Sequence, residues 1–145
     1  MPLMPGALPV IAVVTVGTVA TAIDLRTRRV PNALTFGTGA AGLMLAFLQG
    51  GGLGAAALAG GVIGLALMLP GYLFGATGGG DVKLLAAFGT LLGPRETFTA
   101  FVAMALAGGV IALIVIAYRG RAALANRTFA YAPAVAIGAL IAALT

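Results

Sequence analysis

Cysteine and histidine are both absent from the 145 residues. Their absence removes disulfides, thiol nucleophiles, zinc clusters and any histidine-dependent triad. Acids are scarce as well, with only Asp24, Asp81 and Glu96 against eight basic residues. Any chemistry must therefore use carboxylates, hydroxyls, lysine or arginine, and the expectation is a protein that works with no metal and no cofactor.

Apolar residues are what the chain has in excess. They make up 61% of it, charged residues only 8%, and the mean hydropathy is +1.16. A water-soluble domain of this size has too little interior to hide that much apolar surface. The net charge of +5 raises the question of nucleic acid, but the basic residues form no stripe with interleaved aromatics. They read as orientation charges on membrane loops, so the expected partner is the lipid bilayer and not nucleic acid. Ala20-Thr21-Ala22 mimics a signal-peptide cleavage site after an apolar stretch, but no basic segment precedes that stretch.

Six apolar segments can be marked along the chain. They run over about 8–23, 33–48, 53–74, 81–92, 98–117 and 129–144, separated by polar, glycine or proline breaks. Gly60 and Gly64, then Gly71 and Gly75, have the small-residue spacing that lets helices approach closely, which is also compatible with a homo-oligomer. The expectation is an all-α integral membrane protein, one domain over 1–145, built as a bundle of about six transmembrane helices. On that count Arg26, Arg28, Arg29, Lys83, Arg119, Arg121 and Arg127 share one side and Arg95 lies on the other. The positive-inside rule then turns the larger group toward the cytosol. Asp24 and Asp81 fall on that same side, at the end of the first segment and the start of the fourth.

Ionisable groups at membrane depth are costly, which makes these two acids candidates for function. If they come within reach of each other, one stays protonated while the other is ionised. That is the state peptide hydrolysis needs: the ionised member takes a proton from water and the protonated member polarises the carbonyl. Each acid also has a plainer reading. Asp24 can end a helix or pair with Arg26 or Arg28, and Asp81 can complement a helix dipole beside an ordinary glycine turn. Glu96 stands next to Arg95 in what reads as a short loop. Gly75-Ala76-Thr77-Gly78-Gly79-Gly80 before Asp81 reads as a sharply turning, close-packing backbone, where glycine permits positive φ and lets an extended peptide approach the carboxylate.

Three blocks in order, Asp24-Leu25-Arg26-Thr27-Arg28-Arg29-Val30-Pro31-Asn32, Gly78-Gly79-Gly80-Asp81-Val82-Lys83-Leu84-Leu85 and Tyr131-Ala132-Pro133-Ala134, resemble the prepilin peptidase (type IV leader peptidase) family. Its relatives include preflagellin peptidases and, more distantly, presenilin-like proteases with a Gly-x-Gly-Asp motif. The resemblance implies that Asp24 and Asp81 are catalytic, that the substrate is a pilin-like or flagellin-like precursor, and that cleavage occurs at the cytosolic face of the inner membrane. Thr77 stands where members of the family usually have a hydrophobic residue. The chain also lacks the cysteine-bearing region of the long bacterial members, which argues against N-methylation. Its size matches short forms similar to the peptidases of tight-adherence pilus systems.

Supporting roles follow from chemistry at these positions. Arg26, Arg28 and Arg29 can steer an acidic part of a substrate, although membrane orientation explains them as well. Lys83 can bind a substrate carbonyl, against the plainer reading that it reaches up to the interface. Asn32 can cap the second helix, with bracing of the active site as the alternative, while Gly78 and Gly80 shape the approach to Asp81. Pro133 is expected to kink the last helix and open a lateral path for substrate. Two other classes remain open at this point. A small transporter or proton-relay subunit would use the same acids without pairing them, and a scaffold would not need them at all.

Overall fold

The computed structural model describes residues 7–120 and 132–145. Among them are six helices and no strand: α1 Leu8–Thr27, α2 Asn32–Gln49, α3 Leu53–Leu73, α4 Gly79–Leu92, α5 Pro94–Arg119 and α6 Ala132–Leu144. Arg121, Arg127 and Tyr131, which entered the charge and motif readings, lie outside the described residues.

The helices start and stop near the expected places, with informative differences. α1 continues one turn past Ile23, so Asp24 lies inside the helix instead of ending it. α5 begins at Pro94, which fits a first helical position because its missing N–H would be unpaired there anyway. Glu96 is consequently a buried first-turn residue of α5 and not a loop acid. Pro133 occupies the first turn of α6 as described, a position that proline tolerates without kinking a helix.

Helices α1, α3 and α5 are long and apolar enough to cross a membrane. At 1.5 Å per residue the fourteen residues of α4 reach only about 21 Å, short of a roughly 30 Å hydrocarbon layer. What α4 lacks in length it makes up in burial: ten of its fourteen residues are inside. It packs against α2, α3, α5 and α6 and touches α1. Phe88, Leu84, Leu85 and Leu92 form the centre of the core. The outward faces carry Leu48, Val62, Leu106 and Leu113, all exposed. An apolar exterior around a packed interior is what lipid requires and water does not tolerate. The chain is an all-α membrane bundle.

Small residues decide how closely α4 approaches its neighbours. A Cβ placed on Gly60 of α3 would run into the carbonyl oxygen of Gly89 on α4, and one on Gly89 would meet the Gly60 oxygen. A turn further along α3, a Cβ on Gly64 would lie 2.8 Å from the Leu85 oxygen. These two backbones therefore touch without side chains between them. Gly42 of α2 lies instead against the Thr90 hydroxyl and the Leu91 side chain, and Gly138 of α6 meets Ala100 and Met104 of α5. By contrast, a Cβ at Gly37 would meet nothing within 4 Å.

Gly60→Ala is therefore expected to destabilise the bundle by about 1–3 kcal/mol through overpacking. Gly37→Ala should stabilise it by about 0.5–1 kcal/mol through helix propensity alone. Thermal unfolding of the two variants in detergent micelles measures both, and opposite signs are the expected result.

Candidate active site

Two segments build the site. The α1–α2 connection, Arg28 to Pro31, is short because Arg28 reverses the chain at once. It adopts a left-handed conformation (φ 54, ψ 32) and its N–H donates to the Asp24 carbonyl at 2.7 Å. Among the described residues it is the only non-glycine with positive φ. Glycine is the usual residue at such a helix end, because a side chain there carries a steric penalty. Pro31 then sets an extended approach (φ −62, ψ 135) and α2 begins.

The second segment is the α3–α4 connection. Pro70 leaves the last turn of α3 without one backbone donor. Gly75 (φ 72) makes the turn, and Gly78 is extended before α4 starts at Gly79. Gly75 has the positive φ expected of this stretch, but none of Gly78, Gly79 and Gly80 does, so at those three dihedral freedom is not what glycine supplies. Close approach is the reason instead. A Cβ on Gly80 would stand 3.0 Å from Val30 Cβ and 3.3 Å from Val30 N, so the two connections lie directly against each other. Thr77 packs its hydroxyl against α3 at Gly71.

This contact brings the two acids together. Asp24, in the last turn of α1, and Asp81, in the first turn of α4, line one cavity of about 420 Å³. Its other walls are Arg28, Arg29, Val30, Pro31, Asn32, Gly78, Gly79 and Gly80. As residues Asp24 and Asp81 are 6% and 7% exposed, and they are close enough to interact electrostatically. The Gly78 amide hydrogen-bonds the Asp81 carboxylate, so the α4 start holds that side chain in place.

Of the residues singled out in the sequence, Asp24, Asp81, Arg28, Asn32, Gly78 and Gly80 meet at this cavity. Arg26 does not; it is exposed and lines none of the walls. Lys83 is not among the cavity walls and forms part of a neighbouring groove, where it donates to Asn32 Oδ1 at 3.0 Å and lies 5.6 Å from the Phe36 ring centre. Asn32 is thus not the cap of α2, which has no side-chain cap; its carboxamide is engaged across the bundle by α4. Val30 was missed as a contact of Gly80, although a β-branched residue held extended before proline is the kind that packs flat against glycine.

Residues 11–113 match the model of the type IV leader peptidase family. The chain belongs to that family. The matched region contains both aspartates and both connections that build the cavity. No curated protein and no solved structure is significantly similar to the chain. Membership in the type IV leader peptidase family gives the chain a leader-peptidase role in general and pilin-type precursors as its class of substrate.

Arg28 offers a test of what the cavity demands of the chain. Arg28→Gly should raise thermal stability by about 0.5 kcal/mol, because glycine accepts the left-handed backbone while losing more entropy on folding. The same change removes a cation from the cavity wall, so leader-peptidase turnover should fall. A variant that is more stable and less active is the expected outcome of unfolding and cleavage assays run side by side.

Proposed function

We propose that the protein is an aspartic endopeptidase that removes the leader of a pilin-like or flagellin-like precursor, with Asp24 and Asp81 as its catalytic pair. The observation that carries this reading is that both acids, remote in sequence, line one small cavity and are nearly excluded from solvent. Neither a helix cap nor an interfacial charge needs a second acid beside it, whereas acid–base hydrolysis does.

The chemistry needs no group beyond the two side chains and water. The ionised carboxylate removes a proton from water as the water oxygen bonds to the scissile carbonyl carbon. The protonated carboxyl gives its proton to the carbonyl oxygen, forming a neutral tetrahedral diol. Collapse of the diol breaks the C–N bond: the leaving nitrogen takes the proton held by the first aspartate while the second aspartate takes a proton from one diol hydroxyl, which yields the carboxylic acid and restores both side chains to their starting states. Arg28 and Arg29 on the cavity wall favour a substrate segment with negative charge or exposed carbonyls. The positive-inside rule, applied to Arg26, Arg28, Arg29 and Lys83, supports a mouth on the cytosolic side of the inner membrane, where a leader would emerge.

Asp24→Asn and Asp81→Asn keep side-chain shape and remove the acid. Each should lower cleavage of a pilin-type precursor by at least about 10²-fold while leaving the unfolding temperature near that of the parent. If either variant cleaves at the parent's rate, the paired mechanism is wrong.

A further inference from the structure

Two apolar grooves open on the sides of the bundle. One, of about 460 Å³, lies between α2, α3 and α4; the other, of about 440 Å³, lies between α1 and α6 and includes Pro133. We propose that the precursor's apolar helix docks in the α2–α3–α4 groove and reaches the aspartates from there, an inference that rests on the peptidase reading above.

Continuity with the aspartate cavity favours this groove. At one end stand Thr35, Phe36 and Lys83. Lys83 is two residues beyond Asp81 and hydrogen-bonds Asn32, and Thr35 Oγ1 donates to the Asn32 carbonyl at 3.1 Å. Asn32 itself is a wall of the cavity. Groove and cavity are therefore linked through Asn32, which both Lys83 and Thr35 bond. From Lys83 the groove follows α4 to Thr90, about 10 Å at the helical rise.

The lining fits an apolar helix. Gly39, Ala40, Gly61, Ala86 and Ala87 make a small-residue floor, the surface against which helix backbones pack in lipid. Thr90 spends its hydroxyl on the Ala87 carbonyl at 2.8 Å, so the floor asks no polar group of its occupant. Among the described residues Lys83 is the only charged one of the lining, and it sits at the end nearest the cavity, bonded to the cavity-wall residue Asn32. Charge complementarity is thus confined to that end, where an acidic side chain on the occupant would find its partner, and the remainder suits an uncharged segment. Neither groove shares a lining residue with the aspartate cavity, but among the described residues the α1–α6 groove has no charged side chain, whereas Lys83 ties the other to the cavity wall at Asn32.

The test uses the full chain in proteoliposomes and a synthetic precursor peptide with a basic leader and an apolar helix. Ala40→Trp should raise KM at least about tenfold with kcat within about twofold, the pattern of lost binding, and Ile137→Trp in the other groove should change neither. The opposite pattern overturns the proposal. A photoreactive residue at position 62 or 137 reads the docking site independently of cleavage. Crosslinking of the peptide from 62 and not from 137 supports the proposal. Crosslinking from 137 alone, or from 62 only to lipid or to a second copy of the chain, overturns it. Failure of the parent to cleave the peptide would count against the peptidase reading, while the crosslinks still decide which groove is used.

Discussion

Contact between bare helix backbones is the constraint on which this bundle depends. Lipid supplies no hydrophobic force to drive helices together, so they associate through packing at short range. Gly60 against Gly89, and Gly64 against the Leu85 carbonyl, bring α3 and α4 close enough for that packing. The result is a short helix enclosed by the others, with its first turn inside the protein. An acid in such a turn is held away from lipid and meets the outside only through the cavity it lines.

The same principle acts again one layer out, where Gly80 lies against Val30. That contact joins the α1–α2 and α3–α4 connections and fixes Asp24 relative to Asp81. Irregular backbone at this depth is tolerated only where it is covered by protein or lines a cavity. Here it does both. The left-handed Arg28 and the extended Gly78 leave regular helix geometry at the cavity wall. Departures of this kind persist where the surroundings over-determine them, and they concentrate at functional sites.

Much of this was legible in the residues. The apolar segments gave the helices because a membrane helix must satisfy its backbone internally, and the scarcity of acids singled out Asp24 and Asp81. Other features were not legible, for physical reasons. Helix ends depend on local backbone geometry, so the inclusion of Asp24 in α1 and of Glu96 in α5 could not be read from hydropathy. Which neighbour a long polar side chain selects depends on helix rotation, and so Asn32 read as a cap when it is bound by Lys83. Arg26 and Arg28 are equivalent as sequence, yet only Arg28 turns toward the cavity, because the chain reverses at that residue. The glycines before Asp81 were rightly marked, and the two reasons for them fall at different positions: Gly75 uses dihedral freedom and Gly80 close approach.

Convergence of the two aspartates is the claim beneath every functional statement, and the absence of natural cysteine makes it directly measurable. Cysteines placed at 24 and 81 of the otherwise thiol-free chain should be joined rapidly by a short bifunctional thiol reagent in native membranes. A pair at 24 and 96, on helix ends facing opposite ways, should not. Crosslinking of 24 to 96, or none between 24 and 81, would contradict a shared cavity and with it the catalytic pair.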